Sequence, residues 1–196
     1  MGIPLHLVPE HTEPKPVVEL LKPLENINNP FKQLKDYQFP VVAETFSKLS
    51  TPLSRFIIQM PTGSGKTRVA MEIIAQFINN SKKKTHVIWL THSAELLEQA
   101  YECFLDIWSH LGKKELELIR MWGENKMPPS VNNNSLILGG FQKLYALFSE
   151  NENAFNHFKD NVHLIVVDEA HRVMAPTYNT VTKGMTGSNT HIIGLS

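Results

Sequence analysis

The sequence predicts an α/β fold of three layers, α/β/α, with a mainly parallel sheet between two layers of helices. Three observations predict it. Short apolar runs recur along the chain: RFIIQ, HVIWL, SLILG and HLIVV. Segments with helical spacing of their apolar residues separate these runs. The runs are also apolar throughout rather than at alternate positions, the pattern of strands covered on both faces.

Taken in order, Met1 to about Pro30 carries Pro4, Pro9, Pro14, Pro16, Pro23 and Pro30. Prolines this dense exclude long helices and central strands, so residues 1–30 are expected to be a partly extended leader. Residues 31–196 are expected to form the domain. Its first helix runs from Lys32 to Leu49, with Leu34, Tyr37, Val41, Val42 and Phe46 on one face. Arg55–Gln59 reads as a buried strand and Thr67–Asn79 as a helix. His86–Leu90 is a strand and Ala94–Leu111 a helix. Leu116–Met121 and Ser135–Gly139 are strands, and Asn132–Asn134 is a loop by composition. Gln142–Phe148 is a helix, His163–Val167 the most apolar strand, Thr177–Lys183 helical, and His191–Leu195 a last strand.

A chain of 196 residues has room for one domain with a substantial core. Lys+Arg and Asp+Glu both number 19, so no overall positive field draws in nucleic acid. The single cysteine, Cys103, cannot form an internal disulfide and reads as a small buried hydrophobe. No apolar run is long enough to span a membrane and no secretory signal pattern opens the chain, so a cytoplasmic location is expected.

Two segments carry chemistry. Met60–Thr67, MPTGSGKT, follows a strand and opens a helix. In that setting Thr62, Gly63, Ser64 and Gly65 form a loop whose backbone N–H groups can cradle phosphates, helped by the positive end of the helix dipole. Lys66 supplies an ammonium for the β- and γ-phosphates, and the Thr67 hydroxyl a ligand for Mg²⁺. Met60 stands where the strict pattern has glycine. The second segment is Asp168-Glu169-Ala170-His171, after HLIVV. At the carboxyl end of a parallel strand it would share a crevice with the phosphate loop. Asp168 can hold Mg²⁺, and Glu169 can orient and deprotonate an attacking water. These parts call for ATP and Mg²⁺. A GTPase would need an Asn-Lys-x-Asp base reader. The only Asn-Lys pair, Asn125-Lys126, continues with Met127 and Pro128.

Here the chain resembles superfamily 2 helicases of the DEAD/DEAH-box type. MPTGSGKT is similar to their motif I and VVDEAH to motif II. Leu34-Lys35-Asp36-Tyr37-Gln38 resembles the upstream element whose glutamine reads adenine, which implies that role for Gln38, with Phe31 and Tyr37 as rings for the base to stack on. Trp89-Leu90-Thr91-His92-Ser93 resembles motif Ia, and Gly139-Gly140-Phe141-Gln142-Lys143-Leu144 another strand-facing turn. The resemblance thus implies nucleic-acid contacts at Thr91, His92 and Gln142. Gly194-Leu195-Ser196 matches the start of motif III, so that His171 and Ser196 would couple the nucleotide site to the strand. The resemblance covers Lys32 to Ser196, and its nearest members are type III restriction-subunit-like and repair or defence helicases. It implies a RecA-like P-loop first lobe whose motif III strand inserts between the strands of motifs I and II. DNA or RNA is the implied partner, with DNA ahead, and partner subunits are a further class it admits. The sequence ends at motif III, so the second lobe and its arginine finger are expected to be missing from this chain. Hydrolysis would need them, and Arg68, Arg120 and Arg172 are the substitutes to test in trans. The competing reading is a nucleotide-binding regulatory or interaction module without motor activity.

Other features are given structural readings. Lys82-Lys83-Lys84 reads as a solvated turn, and Trp89, Trp108 and Trp122 as core. No histidine pair has metal-ligand spacing with a second ligand cluster.

Overall fold

The computed structural model describes residues 16–23, 30–150, 159–172 and 175–196. Most of the proposed leader lies outside these residues. Seven strands form one sheet: β1 (Val18–Leu21), β2 (Arg55–Ile58), β3 (His86–Thr91), β4 (Leu116–Met121), β5 (Asn134–Gly140), β6 (Val162–Val167) and β7 (His191–Leu195). Their order is β1-β4-β5-β3-β6-β7-β2, and every pairing except β1 with β4 is parallel. The helices are α1 (Phe39–Leu49), α2 (Lys66–Asn80), α3 (Ala94–Leu111), α4 (Phe141–Glu150) and α5 (Ala175–Met185).

Successive strand residues feed opposite faces. On one face Val87, Trp89, Leu118, Leu138, Leu164, Val166 and Ile193 join Ile74, Phe104 and Trp108 from α2 and α3. On the other, Ile88, Leu90, Ile119, Ile137, Ile165 and Val167 join Leu144 from α4 and Val181 and Met185 from α5. The three-layer α/β fold read from the sequence is therefore the fold observed. Trp89 and Trp108 are fully buried and belong to the core, while Trp122 packs against it half-buried.

Three details differ from the sequence reading, each for a physical reason. The first helix begins at Phe39 rather than Lys32, because Pro40 stands in its first turn, where a missing N–H costs nothing. Residues 30–38 instead form an irregular approach ending in a turn. Second, RFIIQ is an edge strand rather than a buried one. Among the described residues nothing pairs with the outer side of β2, and Ile57 is 62% exposed. Third, part of the leader enters the sheet as β1. Arg120 on β4 is almost wholly buried and needs acceptors. Pro16 supplies them: its carbonyl accepts from Arg120 Nε at 2.9 Å and from Nη2, while the Arg120 backbone N–H donates to Val17 O at 2.9 Å. The proline precedes the strand and the strand is an edge, which is where proline is tolerated.

Glu117 fixes the asparagine loop: one carboxylate oxygen accepts from the backbone N–H groups of Asn132 and Asn133 at 3.1 and 3.0 Å.

Phe104 is fully buried and stacks on Trp108 at 5.4 Å between ring centres. Phe104→Ala is expected to lower unfolding free energy by ~3–5 kcal/mol. Urea denaturation measures this, and a loss below about 1 kcal/mol would contradict the packing of α3 described above.

Candidate nucleotide site

With six strands parallel, their carboxyl ends lie along one side of the sheet. The loop after β2, the turns after β3 and β5, the acidic pair after β6 and Ser196 after β7 all meet there. β7, the strand that ends in Gly194-Leu195, lies between β6 and β2. Ser196 binds directly to the strand before the loop: its N–H donates to Ile58 O at 3.1 Å, and its carbonyl accepts from Met60 N–H at 3.0 Å.

The loop then turns sharply. Ser64 N–H donates to Pro61 O at 3.1 Å and Ser64 Oγ to the same oxygen at 2.6 Å. Gly65, at φ +84°, is the N-cap of α2, in a left-handed conformation that costs a side chain energy. A Cβ there would also lie 2.7 Å from Gln38 Nε2 and would displace that amide. Met60 needs no glycine, because its side chain turns into the core and is 8% exposed. Thr62 is exposed, and Lys66 and Thr67 are half-buried at the start of α2.

On one side of the loop lies a cavity of about 680 Å³ lined by Gln59, Thr62, Lys66, Glu169, His171 and Ser196. Lys66 Nζ is 3.6 Å from Glu169 Oε1, and Glu169 Oε2 is 3.3 Å from His171 Nε2. His171 Nδ1 lies 3.5 Å from Ser196 Oγ, at the outer limit of a hydrogen bond. These four sequence-predicted residues are thus brought into one line. Glu169 sits at φ +51°, a strained backbone for a non-glycine residue. Its N–H donates to Asp168 Oδ1 at 3.0 Å, and Asp168 N–H donates to Leu90 O at 2.7 Å. Asp168 is 5% exposed. Burial first, then the Glu169 charge, push its pKa above the usual carboxylate value, against the pull of the Glu169 N–H, Lys66 and His92. Gly194 allows this packing, since a Cβ there would stand 3.1 Å from Ala170 Cβ.

Two carboxylates facing one lysine leave the pocket short of positive charge. Thr67 and Asp168 do not line this cavity, although both are hard oxygen donors of the type that suits Mg²⁺. Among the described residues there is no cluster of three or more His, Cys, Asp or Glu side chains that would hold a metal by itself.

On the other side of the loop a second cavity, of about 380 Å³, is lined by residues that include Tyr37, Gln38, Gly65, Arg68, Cys103 and Asp106. Gln38 is 5% exposed, donating from Nε2 to Ser64 O at 2.8 Å and accepting at Oε1 from Lys35 N–H at 2.8 Å. The Tyr37 hydroxyl donates to Ser64 O at 3.1 Å. Burial raises the Cys103 thiol to about 11, so it stays protonated and inert. The Phe31 ring is not open for a base: Arg68 lies 5.2 Å over it and His110 5.3 Å away.

The strand-facing residues divide. His92 and Gln142 are exposed at the ends of β3 and α4. Thr91 is 0% exposed with its hydroxyl enclosed, so its side chain offers no nucleic-acid contact. Of the trans-arginine candidates, Arg68 is held by Asp106 and Lys32, and Arg120 is buried against Pro16. The side chain of Arg172 lies outside what is described. Sequence reasoning missed Arg68, Cys103 and Asp106 as pocket residues. Arg68 and Asp106 are 38 positions apart and share no local pattern.

The family model for the type III restriction enzyme, res subunit, matches residues 31–196. No curated protein matches the chain. Among solved structures, it is similar in fold to a DEAD box protein from the hyperthermophile Methanococcus jannaschii, with TM-score 0.63 and 20% identity over 82% of this chain and 43% of that one. It is similar to the UvsW helicase from bacteriophage T4, with TM-score 0.59 and 16% identity over 84% of this chain and 52% of that one. A nuclease-deletion mutant of the type ISP restriction-modification enzyme LlaGI, in complex with a DNA substrate mimic, gives TM-score 0.59 and 15% identity over 83% of this chain and 17% of that one. The chain therefore spans about half or less of the length of these structures.

The raised pKa of Asp168 has a stability consequence. A carboxyl with a higher pKa folded than unfolded holds its proton more tightly when folded. Stability is lost as pH rises from the unfolded value through the folded one. Asp168→Asn is expected to melt higher than wild type at pH 7 without Mg²⁺, the gap closing as pH falls below the carboxylate range. Thermal melts across pH measure this, and a destabilised variant at pH 7 would mean the charge is not under strain.

Proposed function

The chain belongs to the type III restriction enzyme res-subunit family, and from that premise we propose that it is the ATP-binding first lobe of an ATP-dependent nucleic-acid helicase or translocase. The observation that carries the reading is the line Lys66–Glu169–His171–Ser196 at the carboxyl ends of the sheet, beside a glycine loop flanked by a cavity on each side. The phosphates of ATP would occupy the larger cavity and its base the smaller. Residues 31–196 are the lobe, and residues 1–30 a leader that docks through its described stretch on β4.

In this reading the loop N–H groups of Gly63, Gly65 and Lys66 hold the phosphates, with Thr62 and Ser64 shaping the loop. Lys66 exchanges its partner Glu169 for the β- and γ-phosphate oxygens. Thr67 and Asp168 would hold Mg²⁺, which would supply positive charge against the phosphates. Freed of Lys66, Glu169 accepts the proton of the attacking water, and its partner His171 carries the change to Ser196. His92 and Gln142, both exposed on the same side of the sheet, face the nucleic acid. The structural relatives include a helicase and a protein in complex with a DNA substrate mimic, which supports a nucleic-acid partner. A cytoplasmic setting fits this role. Among the described residues no helix is long and apolar enough to cross a membrane.

The chain supplies cradle, metal ligands and base. The cation that neutralises the γ-phosphoryl charge during bond cleavage comes from a second lobe or subunit, since Arg68 and Arg120 are engaged in the fold. Such an arginine contributes ~10³–10⁵ in rate.

Lys66→Ala is expected to abolish ADP binding in calorimetry, and undiminished affinity rejects the phosphate-loop assignment. Gln38→Ala should lose a preference for ATP over GTP on the order of 1–3 kcal/mol, the worth of one bidentate adenine contact. The purified chain should release phosphate very slowly with or without single-stranded DNA or RNA, and Glu169→Gln should bind nucleotide while removing the residual turnover. Robust stimulated turnover by the monomer would refute the need for a second lobe.

A further inference from the structure

We propose that the cavity at the amino ends of β6 and β7 binds an uncharged, planar aromatic molecule that carries an amide group. The nucleotide reading makes no use of this cavity. It lies at the opposite end of the strands from the glycine loop, where α1 and α2 finish and β7 begins. Its volume is about 470 Å³, within the range of sites for small organic molecules.

Four rings line it: Phe46 from α1, Phe77 from α2, His163 from β6 and His191 from β7. All four are half-buried, whereas the Asn80 and Asn189 that also line it are exposed. The cavity is thus aromatic within and polar at its mouth. Phe77 meets His191 edge-on, with ring centres 6.2 Å apart and planes at 84°. Two rings at right angles form a corner in which a third can meet one face and one edge. No carboxylate, ammonium or guanidinium lines the cavity, and even Lys82, next in the chain to Ser81, stays outside it. Burial first, then the neighbouring His163, lower the pKa of His191, so its imidazole is neutral at pH 7. A charged guest would shed its hydration here and meet no counter-charge.

The pattern of donors and acceptors narrows the guest further. His191 Nδ1 lies 2.8 Å from Ser54 Oγ. Ser54 does not line the cavity, so Nε2 is the ring nitrogen left for a guest. With Ser54 donating, Nε2 carries the proton and donates. In the other tautomer it accepts. The Asn80 and Asn189 side chains each offer both a donor and an acceptor. An amide on the guest matches either tautomer of His191 and pairs with asparagine amides in kind.

The probes are benzamide, benzoate and cyclohexanecarboxamide, which are close in size. Each is titrated into the full ¹⁵N-labelled chain and followed by amide chemical shifts. Benzamide is expected to bind with a Kd on the order of 1 mM, as its few atoms allow, with shifts at residues 46–50, 77–81 and 189–191. Benzoate should bind about tenfold more weakly for its charge, and cyclohexanecarboxamide severalfold more weakly for its lost ring. Excess ADP should leave benzamide in place. His191→Phe keeps a ring but loses Nε2, and is expected to weaken benzamide about fivefold. Asn80→Ala, at the exposed rim, should weaken it about twofold, and carries the test if His191→Phe does not fold.

Benzoate binding as tightly as benzamide would mean that Lys82, Lys83 and Lys84 attract the guest, and would overturn the proposal. So would equal binding of cyclohexanecarboxamide, wild-type benzamide affinity in both variants, or displacement of benzamide by ADP. Absence of any shift at about 50 mM benzamide would overturn it as well.

Discussion

The site depends on one strand. β7 lies between β6 and β2, and Ser196, which follows it, is bonded through both backbone groups to the residues that lead into the glycine loop. Without β7, β2 would have no partner, because its other side is open among the described residues. The loop would then hang on an unpaired strand. With β7 in place, the loop, the acidic pair and Ser196 are held at neighbouring strand ends about 5 Å apart, the spacing of paired strands. Gly194 packs closely here. A Cβ on it would stand 3.1 Å from Ala170 Cβ, so a side chain would push the turn away by a few tenths of an ångström. A change at Ser196 thus reaches Glu169 over a short path and reaches the loop through a single peptide unit.

Local energy is spent against stability at the same place. Glu169 is held at positive φ, and Asp168 is buried beside a second carboxylate with Lys66 as the balancing cation nearby. Neither feature helps the nucleotide-free chain fold. Both suit a pocket that receives positive charge with its ligand. The surrounding strands, buried on both faces, supply the hydrophobic stabilisation that tolerates this strain.

The fold was legible because the strands are apolar on both faces and the helices amphipathic, so period alone separates them. The loop and the acidic pair were legible because their chemistry is contiguous in sequence. What was not legible came from contacts far apart in the chain. Nothing near RFIIQ says that it lies at an edge, since the apolar content that fits a central strand also fits an edge packed on one face. The strand within the leader is drawn in by the buried guanidinium of Arg120, more than a hundred positions from Pro16. Pro40 was a local signal for the true start of α1, outweighed by an apolar spacing that continues upstream into Leu34 and Tyr37. Thr91 shows the converse error: the turn faces the right side of the sheet, yet this side chain points into the protein.

On the proposed reading, Gln38 illustrates how the ligand-free protein conditions ligand choice. Its amide is already occupied, Nε2 on the Ser64 carbonyl and Oε1 on the Lys35 N–H. A primary amide keeps a second N–H and a second lone pair, and these are what a base edge can use. Adenine, offering an acceptor beside a donor, can engage both without breaking either internal bond. A base with the wrong pattern must leave one buried polar group unmatched or pull Gln38 off the loop. The penalty for mismatch then exceeds the gain from the match, because an unpaired buried group costs more than an average hydrogen bond contributes. The same side chain lies against the point where a Cβ on Gly65 would sit, so pulling it away also disturbs the phosphate loop. Base choice and phosphate binding are in this way parts of one packed contact.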